Sequence, residues 1–356
     1  SIVPGVLALI AAVSLAWTID FSGAGASMGF FGVGALLLTS GILFFRSRLA
    51  TYAASLEDWR NATDLNRRNV GRRVGRSMVT VGVMAAGSFL VVSTGAFRKG
   101  LPNSVHEVTS GTGGFSYLGE SALPIYDDLN TIGGQDEDPY DLNESLMALS
   151  KVVPLRVRPG DDASCLNLNK AIRPTLYGVN SDEIKSRFSF AEGDWSVLDQ
   201  DAKEGVLPSI PAVVDQNTMM WALKMKTGDR IEFFDGEGQS FLVELAGVVK
   251  GSMLQGALYI SEKNFLRKFP KQGGYRAFLL QENKDIEGQV AAHLENRLQN
   301  YGMEFVPSGE RLASLQKVEN TYLSIFQGLG GLGLLLGTAG LAVVIARNLV
   351  ERGKEF

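Results

Sequence analysis

A single cysteine, Cys165, excludes any disulfide within the chain, so whatever folds here is held by packing alone. Histidine is almost as scarce. His106 and His293 stand far apart, with no Cys or carboxylate pattern around them, which argues against a zinc site. No Gly-x-x-x-x-Gly-Lys-Ser/Thr occurs, and Gly353-Lys354 is followed by Glu355, so the chain is not expected to hydrolyse ATP itself. A Gly-x-Ser-x-Gly elbow, a His-Glu-x-x-His pair and a workable Ser/His/Asp set are missing too, and no enzyme activity is expected. The acid pairs Asp127-Asp128 and Asp161-Asp162 read as solvated turn residues.

Charge is absent from four apolar stretches, Ile2–Trp17, Met28–Phe45, Met78–Phe97 and Tyr322–Ile345, none of which holds Asp, Glu, Lys or Arg. Crossing a hydrocarbon core takes about 20 mostly apolar residues, and a charge at its centre is expensive, so all four read as membrane spans. The first is the shortest, and a signal-peptide core is its alternative. Against that stand the lack of a basic flank before it and the second apolar stretch directly after it.

Arginine sets the orientation. Segment 46–77 carries Arg46, Arg48, Arg60, Arg67, Arg68, Arg72, Arg73 and Arg76 against Glu57, Asp58 and Asp64, and is expected in the cytoplasm. The tail with Arg347, Arg352 and Lys354 is expected there too, which leaves 98–320 outside. The net charge of −4 then belongs to the outer region. The cluster Arg67–Arg76, with Arg68, Arg72 and Arg73, fits a topology determinant facing anionic lipid, and nucleic acid is not an expected partner. Ser55–Arg76 reads as an interfacial helix, with a solvated linker as the alternative.

The expected fold is an α-helical membrane protein with four transmembrane helices and a large α+β extracytoplasmic domain, made of an α/β subdomain and an inserted β-rich subdomain. Its parts are a hairpin of spans at 1–45, a basic loop at 46–77, a span at 78–97, the outer domain at 98–320, a span at 321–346 and a cytoplasmic segment at 347–356. Within the outer domain, Ser110–Gly119 and Gly133–Asp141 read as mobile loops. Glu144–Leu149 and Ser261–Phe269 read as helices, and Val152–Val157, Leu258–Ile260, Tyr275–Leu280 and Met303–Val306 as strands. Arg230–Phe234 and Phe241–Val249 alternate like paired strands around the turn Asp235-Gly-Glu-Gly238. Ile286, Val290, Leu294 and Leu298 give one apolar helical face. From Glu310 to Gln327 there is neither Pro nor Gly, so a stalk helix should run straight into the last span.

Gly328-Leu-Gly-Gly-Leu-Gly333 is not a phosphate loop, because no strand precedes it and no Lys-Ser or Lys-Thr follows. Gly333 and Gly337 form a GxxxG pair suited to close helix packing, with Gly82 and Ala86 as a counterpart on the third span.

The order of parts resembles the FtsX/MacB/LolC group of ABC permeases. The matching pieces are Leu65-Asn-Arg-Arg-Asn-Val-Gly-Arg-Arg73, a span, a two-part outer domain of the MacB type, a stalk and a second span that exits at Arg347-Asn-Leu-Val-Glu-Arg352. Asp161–Asn169 and Ser252–Gly256 are similar to outer domains of large permeases of this group. The resemblance implies a separate cytoplasmic ATPase of the MacB/LolD type that binds the ATP, leaving no cofactor on this chain. It implies docking through Arg347, Asn348, Glu351 and Arg352, with a second permease subunit or repeat and membrane lipids as the other partners. It also implies a bacterial plasma membrane location and mechanotransmission acting on lipids, lipoproteins, peptides or drugs. A membrane regulator of an envelope hydrolase and a receptor-like sensor remain alternatives. Group members continue with two more spans after the docking segment, so a fragment is expected, with 1–45 closing a preceding repeat.

Overall fold

The computed structural model describes residues 2–18, 26–54, 74–97, 105–131, 138–161, 163, 173–200 and 207–352. The chain divides into two compact units, Ser1–Lys99 with Glu319–Phe356, and Gly100–Val318.

The first unit is helical. Its elements are α1 (Val3–Thr18), α2 (Ala26–Ala54), α3 (Val74–Phe97) and the greater part of a later 45-residue helix. Apolar segments without backbone partners elsewhere adopt helices because the helix satisfies every peptide N–H and C=O internally. Their hydroxyls are handled the same way. Thr39 donates to the Ala35 carbonyl, Ser93 to Phe89, Thr94 to Leu90 and Ser324 to Asn320, each one turn back.

Among the described residues, three helices are long and apolar enough to cross a membrane, over Gly29–Thr51, Met78–Ala96 and Asn320–Arg347. The fourth expected span forms α1, whose 16 residues reach about 24 Å at 1.5 Å per residue, short of a core about 30 Å thick. α1 packs on α2, with the Ser40 hydroxyl donating to the Gly5 carbonyl at 2.8 Å. The helices also overrun the expected loop: α2 includes Arg46 and Arg48, and α3 begins at Val74 with Arg76 in its first turn. Arg67, Arg68, Arg72 and Arg73, with most of the expected interfacial helix, lie outside the described residues.

The second unit is built on one ten-stranded mixed sheet. In chain order its elements are β1 (Tyr117–Ile125), α4 (Glu144–Met147), β2 (Ser150–Arg158), β3 (Thr175–Val179), α5 (Ser181–Ile184), β4 (Phe190–Glu192), β5 (Ser209–Asp215), β6 (Arg230–Phe234) and β7 (Ser240–Val249). They are followed by β8 (Ala257–Ser261), α6 (Glu262–Lys268), β9 (Tyr275–Glu282), α7 (Gln289–Arg297), β10 (Glu304–Pro307) and α8 (Ser308–Arg352). The strand order is β10-β1-β9-β2-β3-β8-β5-β7-β4, with β6 also on β7.

The expected separation into an α/β subdomain and an inserted β-rich one gives way to this continuous sheet, and β2 is the reason. Its first part, Ser150–Leu155, pairs with β9, and its last part, Arg156–Arg158, pairs with β3. One strand therefore joins the two halves. Each half keeps its own core, one around Phe278, Leu280, Val290 and Leu294, and another around Val214, Phe233, Phe241 and Phe265. A third cluster, with Phe115, Trp195 and Tyr259, lies among β2, β5 and β8. The sheet mixes parallel pairs, β3 with β8 and β5 with β7, with antiparallel ones.

Ser110–Gly119 is not a mobile loop. Thr112, Phe115 and Ser116 are buried, and Tyr117 already opens β1. The glycines here serve conformation and close approach: Gly113 and Gly114 have φ of 63° and 76°, a region costly for residues with a Cβ. Of Gly133–Asp141, only 138–141 are described; there the Asp138 carboxylate accepts the N–H groups of Tyr140 and Leu142.

Candidate functional site

α8 is rooted in the second unit by packing that begins at its first residue. Ser308 N–H donates to the Ser116 carbonyl at 2.8 Å, and Leu312 and Leu315 are each only 2 % exposed. A Cβ on Gly309 would sit 3.4 Å from Val105, and one on Gly111 would sit 2.5 Å from the Gly251 carbonyl and 3.0 Å from Leu312. The turn segment 105–116 is therefore pressed between the start of α8 and the loop Gly251–Gly256.

That loop is fixed from the other side by a buried carboxylate. Asp215, at the end of the fully buried β5, accepts the Ser252 N–H at 2.8 Å and the Ser252 hydroxyl at 2.9 Å. Met253 N–H donates to the Gly111 carbonyl, and Gly256 N–H to the Thr218 hydroxyl. Burial pushes the Asp215 carboxyl above the usual carboxylate range, against the pull of its N–H and O–H donors. Three polar side-chain atoms in these same segments, Gln255 Oε1, Ser308 Oγ and Arg311 Nε, are buried without a hydrogen bond among the described residues. Neither Asp215 nor Gly111 belongs to a sequence motif. A single acid ending an unbroken apolar strand was the available signal.

Within the first unit, small residues set the contact between α3 and α8. A Cβ on Gly87 would meet the Gly330 carbonyl at 2.8 Å and the Leu334 nitrogen at 2.9 Å, both of them backbone atoms. One on Gly337 would meet Met84 Cγ at 2.5 Å, and one on Gly333 would lie 3.7 Å from Gly87 Cα. Gly82 has nothing within 4 Å, and Ala86 is half-buried, so on α3 the close approach falls on Gly87, which spacing alone did not single out. At the far end of α8, Arg347 is exposed, and Asn348, Glu351 and Arg352 occupy the last turns of the helix.

The two histidines have separate neighbours. His293 Nε2 accepts the Asn143 N–H at 3.0 Å and so ties α7 to the start of α4; burial, reinforced by Arg297, lowers its pKa. His106 Nε2 lies 3.9 Å from Glu287 Oε1. Cys165 is outside the described residues.

No family model and no curated protein matches the chain. Among solved structures, the periplasmic region of MacB from Actinobacillus actinomycetemcomitans is similar at 16% identity with a TM-score of 0.30, over 62% of this chain and 98% of that one. The extracellular domain of the noncanonic ABC-type transporter YknZ from Gram-positive bacteria is similar at 15% identity with a TM-score of 0.26, over 53% of this chain and 99% of that one. Both neighbours are extracytoplasmic portions of their proteins. TM-scores this low do not establish a shared overall fold.

Proposed function

We propose that the chain is a permease subunit of an ABC transporter that couples a separate cytoplasmic ATPase to the domain Gly100–Val318 on the other side of a bacterial plasma membrane. The observation that carries this reading is α8. It is a single helix from Ser308 to Arg352, with Leu312 and Leu315 buried in the domain core, an apolar window over Asn320–Arg347, and basic residues at its end. A continuous helix resists bending, so displacement at one end reaches the other.

The end of α8 supplies Arg347, Asn348, Glu351 and Arg352 for docking, and the sequence resemblance to the FtsX/MacB/LolC group supports an ATPase of the MacB/LolD type as partner. ATP is bound by that partner, a second permease subunit or repeat completes the pair, and the domain acts on lipids, lipoproteins, peptides or drugs.

The test is co-purification of the complete protein. A separate nucleotide-binding ATPase should accompany it, and Arg347→Glu combined with Arg352→Glu should remove that ATPase while leaving insertion unchanged. Substantial ATP hydrolysis by the chain alone would refute the subunit assignment.

A further inference from the structure

An open cleft of about 640 Å³ lies at the end of the β2–β9 pair, where Ser150 faces Glu282 and Lys151 faces Gln281. His106, Leu149, Ser150, Lys151, Gln281 and Lys284 line it. The lining holds one acid, Glu282, which is buried; burial pushes its pKa up, against the pull of its backbone donors. Its two oxygens accept the N–H groups of Gly288 and Ala291 at the start of α7, where the helix dipole favours negative charge. The cations are not matched in this way. Lys284 makes no ion pair among the described residues, and Lys151 meets Glu183 in an exposed pair, a kind worth little and readily exchanged for another anion. Beside them Leu149 is 49 % exposed, an apolar surface next to a cationic one.

We propose that this cleft binds an amphiphilic anion, a phosphate or carboxylate group carrying one apolar arm. Lys151 and Lys284 hold the anionic group, the Gln281 amide nitrogen donates a hydrogen bond to one of its remaining oxygens, and the arm lies along Leu149; the Ser150 hydroxyl is already given to the Met147 carbonyl and only lines the wall. Ammonium groups bind phosphate as point charges, which suits a ligand whose head rotates freely.

The position of the cleft gives binding a consequence. His106 and Gly114, in its wall, belong to the segment 105–116 that packs against Gly309 and Leu312 of α8. Arg187 adds a second connection, because its guanidinium donates both to Gln281 Oε1 and to the Gly113 carbonyl and lies over the Phe115 ring. Occupancy therefore steadies 105–116 and, through it, the root of α8. The site itself does not depend on the transport reading, since binding is read directly.

The test uses the full chain in nanodiscs of a zwitterionic lipid, titrated calorimetrically with hexyl phosphate, inorganic phosphate and hexanol, and followed by hydrogen exchange. Hexyl phosphate should bind saturably, more tightly than inorganic phosphate, and hexanol should not bind. Lys151→Ala with Lys284→Ala should weaken hexyl phosphate by about tenfold or more, the loss of two charge-assisted contacts. Leu149→Ser should weaken hexyl phosphate and leave inorganic phosphate unchanged. Thermal melting of each variant checks that it is folded. Amides in 105–116 and at the start of α8 should exchange more slowly when the ligand is bound. Equal binding of hexyl and inorganic phosphate, or full affinity in the folded double lysine variant, overturns the site. Saturable binding with unchanged exchange at 105–116 overturns the connection to α8.

Discussion

Val318→Pro is expected to abolish most substrate-dependent stimulation of the partner ATPase while leaving insertion, domain folding and ATPase association intact. Val318 is the eleventh residue of α8, beyond the buried anchors Leu312 and Leu315 and before the apolar window that opens at Asn320. A proline there removes one backbone hydrogen bond, clashes with the turn before it, costs about 3 kcal/mol or more, and kinks the helix. The three retained properties reside elsewhere in the chain. What is lost is transmission, because a bent lever delivers little displacement. A flexible tether would tolerate the kink, so wild-type coupling in a correctly inserted Val318→Pro protein would reduce α8 to a linker.

The second large effect is expected where α3 meets α8. Gly87→Leu places a side chain where Cβ alone would approach the Gly330 carbonyl and the Leu334 nitrogen to within 3 Å, and neither backbone atom can turn aside. Overpacking of this kind commonly costs about 1–3 kcal/mol, and here it also forces the helices apart. The purified protein should melt several degrees lower, and ATPase coupling should fall with it. Gly82→Leu, on the same helix, is the control: nothing lies within 4 Å of its Cβ position, so its melting temperature should stay near wild type. Equal effects from the two substitutions would remove Gly87 from the contact.

How much of this was legible beforehand varied with how locally each element is encoded. The hairpin β6–β7 was readable because alternation and the turn Asp235–Gly238 state it within twenty residues, and α7 was readable from its four-residue apolar spacing. The long helix could be traced from Glu310 onward because nothing breaks it. β5 was missed. It holds Pro211, which demotes a strand on sequence grounds, yet β8 pairs only with Val213 and Val214, so the proline sits where that neighbour asks nothing of it. β1, with Gly119 and Pro124, and β3, with Gly178, were hidden in the same way.

The union of the two halves through β2 is a property of register across distant strands, and no local pattern records it. The candidate site divides similarly. Gly333 and Gly337 were visible as a spacing, whereas Gly87, Gly111 and the Asp215–Ser252 contact depend on residues brought together only by the fold.

The coupling reading rests on the domain Gly100–Val318 and the basic segment 46–77 lying on opposite sides of a membrane. Sidedness can be measured with a membrane-impermeant thiol reagent on intact cells, in a full-length protein carrying Cys165→Ser and one new cysteine. Lys185→Cys reports on the domain, since Lys185 is exposed with a side chain 61 % accessible, and Ser55→Cys reports on the basic segment. The account predicts that Lys185→Cys is labelled from outside and Ser55→Cys only after the membrane is permeabilised. Labelling of Ser55→Cys in intact cells, or protection of Lys185→Cys there, would contradict it.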